Sequence, residues 1–502
     1  MFLFFITLGL FCLWKLKHIV QLYRNHAATA AVPQPPLDSF YGGHSPSIEA
    51  AKRDNAFLDL LVTWTNQHGP FVLFWIYGQV FFFVTDPALL RKVATNLEAF
   101  SKVDALPNRS LFGQKIIGTG SILSGNGLGW AVKRKVVSRL FTRINMRCMF
   151  EACRPHMEQG VLNKWREWAG PGTLLDLHQA LSVTFLSYLQ VFGFRDFQTP
   201  EQMSKNVFLI LEAIPKPLFE RYTYLVSNEK TQMTKLIRRM RCDALRVVSE
   251  RLFGSNGEEM EEGLDMLGCL ISANQSKIDT LRKNPEKKKQ RKKKMSTSLA
   301  EDVVDDIMTL CLVWDNMVKQ VAVLFIFLEK EPQVQSRMFA ELRANPLHTF
   351  EAVDKLEYTE KCLLEAMRMG PALLRGTRNY NTTGTRRVGP YVINKPTVRV
   401  HFSEYVMQMN PEVWAEPTQF DPDRWNGHFS PDSFSYMPFW VGSRGCLGKH
   451  MAMMLMKLTL SVIARNFQVQ QQFDPEKPPL VNQNMAVMRI INRVDCLVSP
   501  IV

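Results

Sequence analysis

Paired cysteines are missing from this chain. Its nine cysteines in 502 residues, at 12, 148, 153, 242, 269, 311, 362, 446 and 496, are odd in number and scattered. Neither a disulfide scaffold nor a metal finger with paired spacing fits them, and a reducing, cytosol-facing body does. No internal repeat is visible. Acid is scarce relative to base, 47 residues against 61, for a net charge of +14. Arg282 to Lys294 alone, with nine basic residues and one acid, carries +8 of that total, so the rest of the chain is only mildly basic. The tract lacks interleaved aromatics; nucleic-acid binding is therefore not expected, and a solvated loop over 282–294 is the plain reading, with anionic lipid as a second use.

Long uninterrupted apolar runs are also few. Phe2 to Trp14 is almost wholly apolar, but a helix of that length covers only about 20 Å of a roughly 30 Å hydrocarbon layer. Spanning it requires continuation to Leu22, with Lys15, Lys17 and Arg24 reaching the cytosolic headgroups. Ala28-Thr29-Ala30 looks like a signal-peptide cleavage site, yet the charges follow the apolar run instead of preceding it, which favours a retained anchor over residues 1–24. Pro33-Gln34-Pro35-Pro36 then stiffens a hinge over 25–45, leaving 46–502 as the body.

What is present is a large core. A hydrophobic fraction of 46% suffices for one large domain or two to three ordinary ones. Phe71 to Tyr77 and Gln79 to Thr85 flank Gly78 and are rich in Val, Ile and aromatics, which predicts a hairpin leading into a helix at Asp86-Pro87. Helical periodicity dominates from about 130 to 370, and a second β-rich patch runs from Gly376 to Ser403.

The most specific stretch is Phe439-Trp-Val-Gly442-Ser-Arg444-Gly-Cys446-Leu-Gly448. One thiol stands in a glycine-framed loop just ahead of an apolar run, Lys449 to Asn466, with the length of a buried helix. Amides at that helix start would face the sulfur from a positive dipole end and favour thiolate over thiol. Gly442 and Gly448 allow close approach of a flat partner, Phe439 can shield the sulfur, and Arg444 can neutralise an acidic group on that partner. A haem with propionates meets these requirements; the bland competitor is a buried, inert cysteine. Trp130-x-x-x-Arg134 places an indole donor and a guanidinium one turn apart, a spacing able to grip a carboxylate. Glu365-x-x-Arg368 can form a buried ion pair on one helix.

The decapeptide resembles the signature F-x-x-G-x-R-x-C-x-G of the cytochrome P-450 superfamily at every fixed position, and the likeness extends over most of the chain. It implies a mainly α fold with small β-sheets, and haem b between a long oxygen-side helix and the cysteine loop, with Cys446 as the axial thiolate. It further implies propionate contacts from Trp130, Arg134, Arg378 and Arg444, and a third member, Arg424 of Phe420-Asp-Pro-Asp-Arg-Trp, joining Glu365 and Arg368. The proline-rich segment resembles the hinge of microsomal members. The implied reaction is insertion of one oxygen atom from O2 into a lipophilic substrate. Its electrons would come from an NADPH-cytochrome reductase at the endoplasmic reticulum membrane, which Lys133, Lys135 and Lys449 could meet on the cysteine side. Leu111 to Gly120 and Phe57 to Pro70 look like the sterol 24-hydroxylase branch.

One helix departs from the pattern. Counting back from Glu331-Pro332, Asp315 falls on the acid of A-G-x-[DE]-T, but the chain reads Leu312-Val313-Trp314-Asp315-Asn316. Val313 has bulk where glycine leaves room for dioxygen, and Asn316 stands in place of the threonine that relays a proton. Asp315 also has a competing use, a surface pair with Lys319 four residues on. Two alternatives follow: a haem-thiolate isomerase or dehydratase acting on lipid peroxides without external O2, and a low-turnover haem- or sterol-binding membrane protein.

Overall fold

The computed structural model describes residues 32–76, 79–96, 100–102, 117–118, 120–170, 172–194, 197–213, 228–253, 265–283, 299–380, 386–388, 391–393, 398–426, 434–481 and 488–501, with five positions between 16 and 23. The expected N-terminal anchor over residues 1–24 and the basic tract from 284 onward therefore lie outside the described residues, save those five positions. Residues 33–44 are tied to the body: the Pro33 carbonyl accepts a hydrogen bond from the Leu73 amide at 2.8 Å, and the His44 ring bonds the Pro35 carbonyl at 2.9 Å.

In chain order the body opens with α1 (Ser45–Arg53), α2 (Phe57–His68), β1 (Phe71–Ile76), β2 (Gln79–Val84), α3 (Pro87–Thr95) and β3 (Phe100–Lys102). It continues through α4 (Gly127–Val137), α5 (Arg143–Pro155), α6 (Leu162–Trp168), β4 (Leu174–Asp176), α7 (Leu177–Val191), α8 (Pro200–Ala213), α9 (Asn228–Phe253) and α10 (Met266–Lys283). Then come α11 (Leu299–Leu328), α12 (Pro332–Ala344), α13 (Glu357–Met369), β5 (Gly376–Tyr380), β6 (Arg386–Val388), β7 (Tyr391–Ile393), β8 (Val398–Phe402) and α14 (Glu404–Gln408). The chain closes with α15 (Lys449–Asn466), β9 (Phe467–Gln471), β10 (Leu480–Val481), β11 (Ile490–Ile491) and β12 (Asp495–Pro500).

The expected hairpin forms, with Phe71 opposite Val84 and Ile76 opposite Gln79. Its aromatic density has a physical reason. Side chains alternate across a strand, and here both faces are covered: Val72, Phe74, Phe81 and Phe83 enter the main core, while Phe71, Leu73, Trp75, Phe82 and Val84 enter a second cluster. Asp86 caps α3 by accepting from the Leu89 amide at 2.6 Å, with Pro87 at the first helical position, as residue preferences predict. The β-rich patch from 376 to 403 completes a five-stranded sheet in the order β1-β2-β8-β5-β3, which places Arg378 on an inner strand, paired with Val400.

α11, at 30 residues, runs about 45 Å through the middle of the helical region. It is apolar and long enough to cross a membrane, but two thirds of its most apolar stretch is packed inside the protein. Five charged side chains, Asp302, Asp305, Asp306, Asp315 and Lys319, are buried along it. It is a core helix.

Candidate haem-thiolate site

Cys446 lies in the loop before α15, where its amide donates to the Phe439 carbonyl at 2.7 Å. Gly442 turns that loop at φ +71°, in the left-handed region a glycine adopts without cost. Phe439 packs on the edge of the main core, and Gly448 caps the helix with its amide directed to the Cys446 sulfur. The cysteine keeps accessible surface although protein encloses it closely enough for desolvation to dominate its titration; both facts describe the floor of a recess. Burial pushes the thiol pKa up, against the Gly448 amide and the Arg134 charge. The expectation that the helix start alone favours thiolate is thus corrected, because in this loop desolvation outweighs one amide and one guanidinium. A coordinated metal cation reverses that balance and deprotonates a thiol outright.

Three arginines converge beside the cysteine. Arg444 lies 3.4 Å over the Trp130 ring and donates to the Asn126 side chain at 2.6 Å. Arg134, one turn after Trp130, sits 5.6 Å from the same ring and donates to the Gly445 carbonyl at 2.5 Å. Arg378 is 2% exposed and stacks 4.8 Å from Trp440. Burial holds the Arg378 and Arg444 pKa values down to about 10, for Arg444 with the charges of Arg378 and Arg134 adding to the effect. The Nε of Arg378 and the Nε and Nη1 of Arg444 are buried with no hydrogen-bond partner among the described residues. Buried cationic donors left over in this way require an anion. The residues therefore fit a flat dianionic group lying against Cys446, which is what a haem with two propionates supplies. Trp130 departs from expectation, since its indole N–H donates to the Ile122 carbonyl at 3.0 Å. Its ring, not its donor, serves the arginines.

The buried support beneath the site matches the sequence closely. Glu365 binds Arg368 through two bonds of 2.8 and 3.0 Å and accepts from Arg424 Nε at 2.9 Å. The Asp421 amide and the Trp425 indole add bonds of 3.1 Å each. One fully buried carboxylate thus ties α13 to the loop that leads toward the cysteine.

On α11, Asp315 and Lys319 do pair, at 2.6 Å. Both side chains are only 6% exposed, so the expected surface pair is a buried one. Leu312, Val313 and Asn316 keep accessible surface between buried neighbours, while Trp314 turns away and packs on Phe192 at 5.7 Å. The Asn316 Oδ1 is buried without a partner among the described residues. Lys133 corrects another expectation: it is 1% exposed and bonded to Asp306, so it cannot meet a partner protein, whereas Lys135 and Lys449 are exposed. Sequence reasoning missed Asn126, Trp440 and Gly376. At Gly376 a Cβ would overlap both the Phe402 and Trp440 rings, a close approach that shows only once the strands are paired.

The cytochrome P450 family model matches residues 33–497, and the chain belongs to that family. It is 22% identical over 490 residues to Cytochrome P450 4g1 of Drosophila melanogaster, covering 88% of this chain and 84% of that one. It is 24% identical over 410 residues to Cytochrome P450 3A29 of Sus scrofa, covering 76% of each. A shorter match, 31% over 174 residues, to Cytochrome P450 4A10 of Rattus norvegicus covers 33% of each chain. Membership makes the protein an oxidoreductase of the haem-thiolate monooxygenase class, with haem held by a cysteine thiolate.

Proposed function

We propose that this protein inserts one oxygen atom from O2 into a lipophilic substrate, with Cys446 as the iron ligand and Arg378, Arg444 and Arg134 as the propionate contacts. The carrying observation is the set of buried, unpaired arginine donors at Arg378 and Arg444 around one recessed thiol. Thiolate-ligated haem, when bound, supplies activation and cleavage of an O–O bond. The chain's own tasks are to hold that group, exclude water and place a substrate bond near it. The partly accessible face of α11 at Leu312, Val313 and Asn316 supplies mainly apolar surface, while the Asn316 Oδ1 is itself buried. An N-terminal anchor in the endoplasmic reticulum membrane and electrons from an NADPH-cytochrome reductase, docking at Lys135 and Lys449, complete this reading. A sterol or similarly bulky lipid suits it best, on the likeness carried by residues 57–70 and 111–120, of which 111–116 and 119 lie outside the described residues.

A second reading is favoured by the same helix. Asn316 does not pass a proton on as a hydroxyl does, and the Asp315 carboxylate is engaged by Lys319. A substrate bringing its own O–O bond needs no such relay, which makes lipid peroxide rearrangement the competing reaction. A turnover screen on lipid extracts, with NADPH and reductase in one arm and lipid hydroperoxides in the other, separates the two. NADPH-dependent product supports monooxygenation, and product formed only from hydroperoxides overturns it. Absence of product in both arms returns the protein to a binding role.

A further inference from the structure

Away from the thiol, a buried ionic cluster joins five segments. The first turns of α11 carry Asp302, Asp305 and Asp306, all buried. Each meets a cation from a different helix: Lys277 of α10 reaches Asp302 at 2.8 Å, Arg241 of α9 reaches Asp305 at 2.8 Å, and Lys133 of α4 reaches Asp306 at 2.5 Å. Threaded between them is the loop before α4. Asp305 accepts from the Gly120 amide at 3.0 Å, Asp306 accepts from the Ile122 amide at 2.7 Å, and Lys133 donates to the Gly120 carbonyl at 2.6 Å. Asn274 donates to the other Asp306 oxygen at 2.8 Å. At Gly118, where φ is +74°, a Cβ would overlap the Asp305 carboxyl group, so the loop fits the clasp only as glycine.

The loop passes this constraint onward. The clasp holds the Ile122 amide, the carbonyl of the same residue is the acceptor for the Trp130 indole, and Arg444 rests on the face of that indole. An indole anchored at its N–H has a defined ring plane, and a guanidinium stacked on it takes its orientation from that plane. The acid on α11 and the arginine beside the cysteine are therefore connected by one amide, one carbonyl and one ring.

We propose that Asp306, with its buried partner Lys133, is a positioning residue for Arg444, fixing through Ile122 and Trp130 the guanidinium that faces a haem propionate. The inference rests on the haem reading above. A misplaced Arg444 neutralises the propionate less well, which loosens the haem and disfavours the added electron of the ferrous state.

The test uses the holoprotein and compares wild type with Asp306→Asn, Trp130→Phe and the double variant. Readouts are the rate of haem transfer to an excess of apomyoglobin, the haem reduction potential and the ferrous carbon monoxide spectrum. Trp130→Phe keeps an aromatic ring under Arg444 and removes the N–H together with the pyrrole part of the indole. Both single variants are expected to lose haem about three- to tenfold faster and to shift to a more negative potential, with the double variant no worse than the stronger single, because both cut one chain of contacts. Wild-type rates and potentials in both single variants overturn the proposal while leaving the haem reading intact. A wild-type protein lacking a thiolate-type spectrum ends the haem reading, and this inference with it. If Asp306→Asn does not fold, Trp130→Phe decides alone: accelerated haem loss supports the chain of contacts, and an unchanged rate overturns it.

Discussion

At the scale of single residues, burial sets the charge states around the sheet and the thiol. His401 is the clearest case. Its Nδ1 lies 3.1 Å from Thr377 Oγ1, its Nε2 has no partner among the described residues, and the Phe81 ring is 5.0 Å away. Desolvation first, then the charges of Arg375 and Arg399, hold its pKa down to about 3 from an ordinary 6.5. Between those values the unfolded chain binds a proton that the folded one refuses, so stability is full above pH 6.5 and is lost as pH falls toward 3. A His401→Asn variant is expected to flatten the pH dependence of the urea-unfolding free energy in that window by up to one proton, roughly 1.4 kcal/mol per pH unit. Identical slopes for the two proteins would remove His401 as the cause. Arg368 was legible as a partner of Glu365 at this scale, because an acid and an arginine three apart on a helix face the same way, whereas Arg424 entered only through the family resemblance and the Asp421 amide and Trp425 indole carried no local signal. The burial of Lys133 was not, since its acid stands 173 positions further along the sequence.

The long helix α11 is where reading by element succeeds and then stops. The helix was expected from about Asp302 to Leu328 and runs from Leu299 to Leu328, while the register of Leu312 to Asn316 was set by the family resemblance, counting back from Glu331-Pro332. What could not be counted was how far the Asp315 and Lys319 pair would be buried, because a four-residue spacing is the same on a wet face and a dry one. Desolvation decides the consequence. Replacing Asp315 alone by Asn strands a buried ammonium and is expected to cost about 3 kcal/mol of unfolding free energy, while Asp315→Leu with Lys319→Met is expected to restore most of it. Equal stability of wild type and the Asp315→Asn protein in urea titrations would show that the pair does not contribute. Asn316→Thr tests chemistry on the same element. If the protein activates O2, restoring a hydroxyl is expected to raise the ratio of product formed to NADPH consumed, by no more than the roughly 10²–10⁴-fold that a fully positioned proton donor contributes. A ratio that falls, with hydroperoxide turnover lost as well, favours the second reading.

For the molecule as a whole, the buried polar centres that tie helices to sheets and loops among the described residues include the Glu365 cluster, the α11 clasp and the arginines beside Cys446. Local patterns announced the hairpin, the α3 cap and the cysteine loop. They were silent on the sheet β4-β12-β9, in which Leu174 pairs with Leu497, since pairing across such a separation is set by tertiary packing rather than by either strand's own residues. The Glu365 cluster is the part most exposed to a single change. Glu365→Ala leaves Arg368, fully buried, without its carboxylate and is expected to cost about 3–5 kcal/mol, seen as a lowered urea midpoint and loss of haem from the purified protein. A variant that keeps both would contradict the architectural role. Whether Cys446 binds haem iron as a thiolate is read most directly from the ferrous carbon monoxide difference spectrum of wild type beside Cys446→His. The wild type is expected to show the red-shifted Soret band of thiolate ligation, and the variant an imidazole-type band in its place. The same red-shifted band in both proteins would contradict ligation by Cys446.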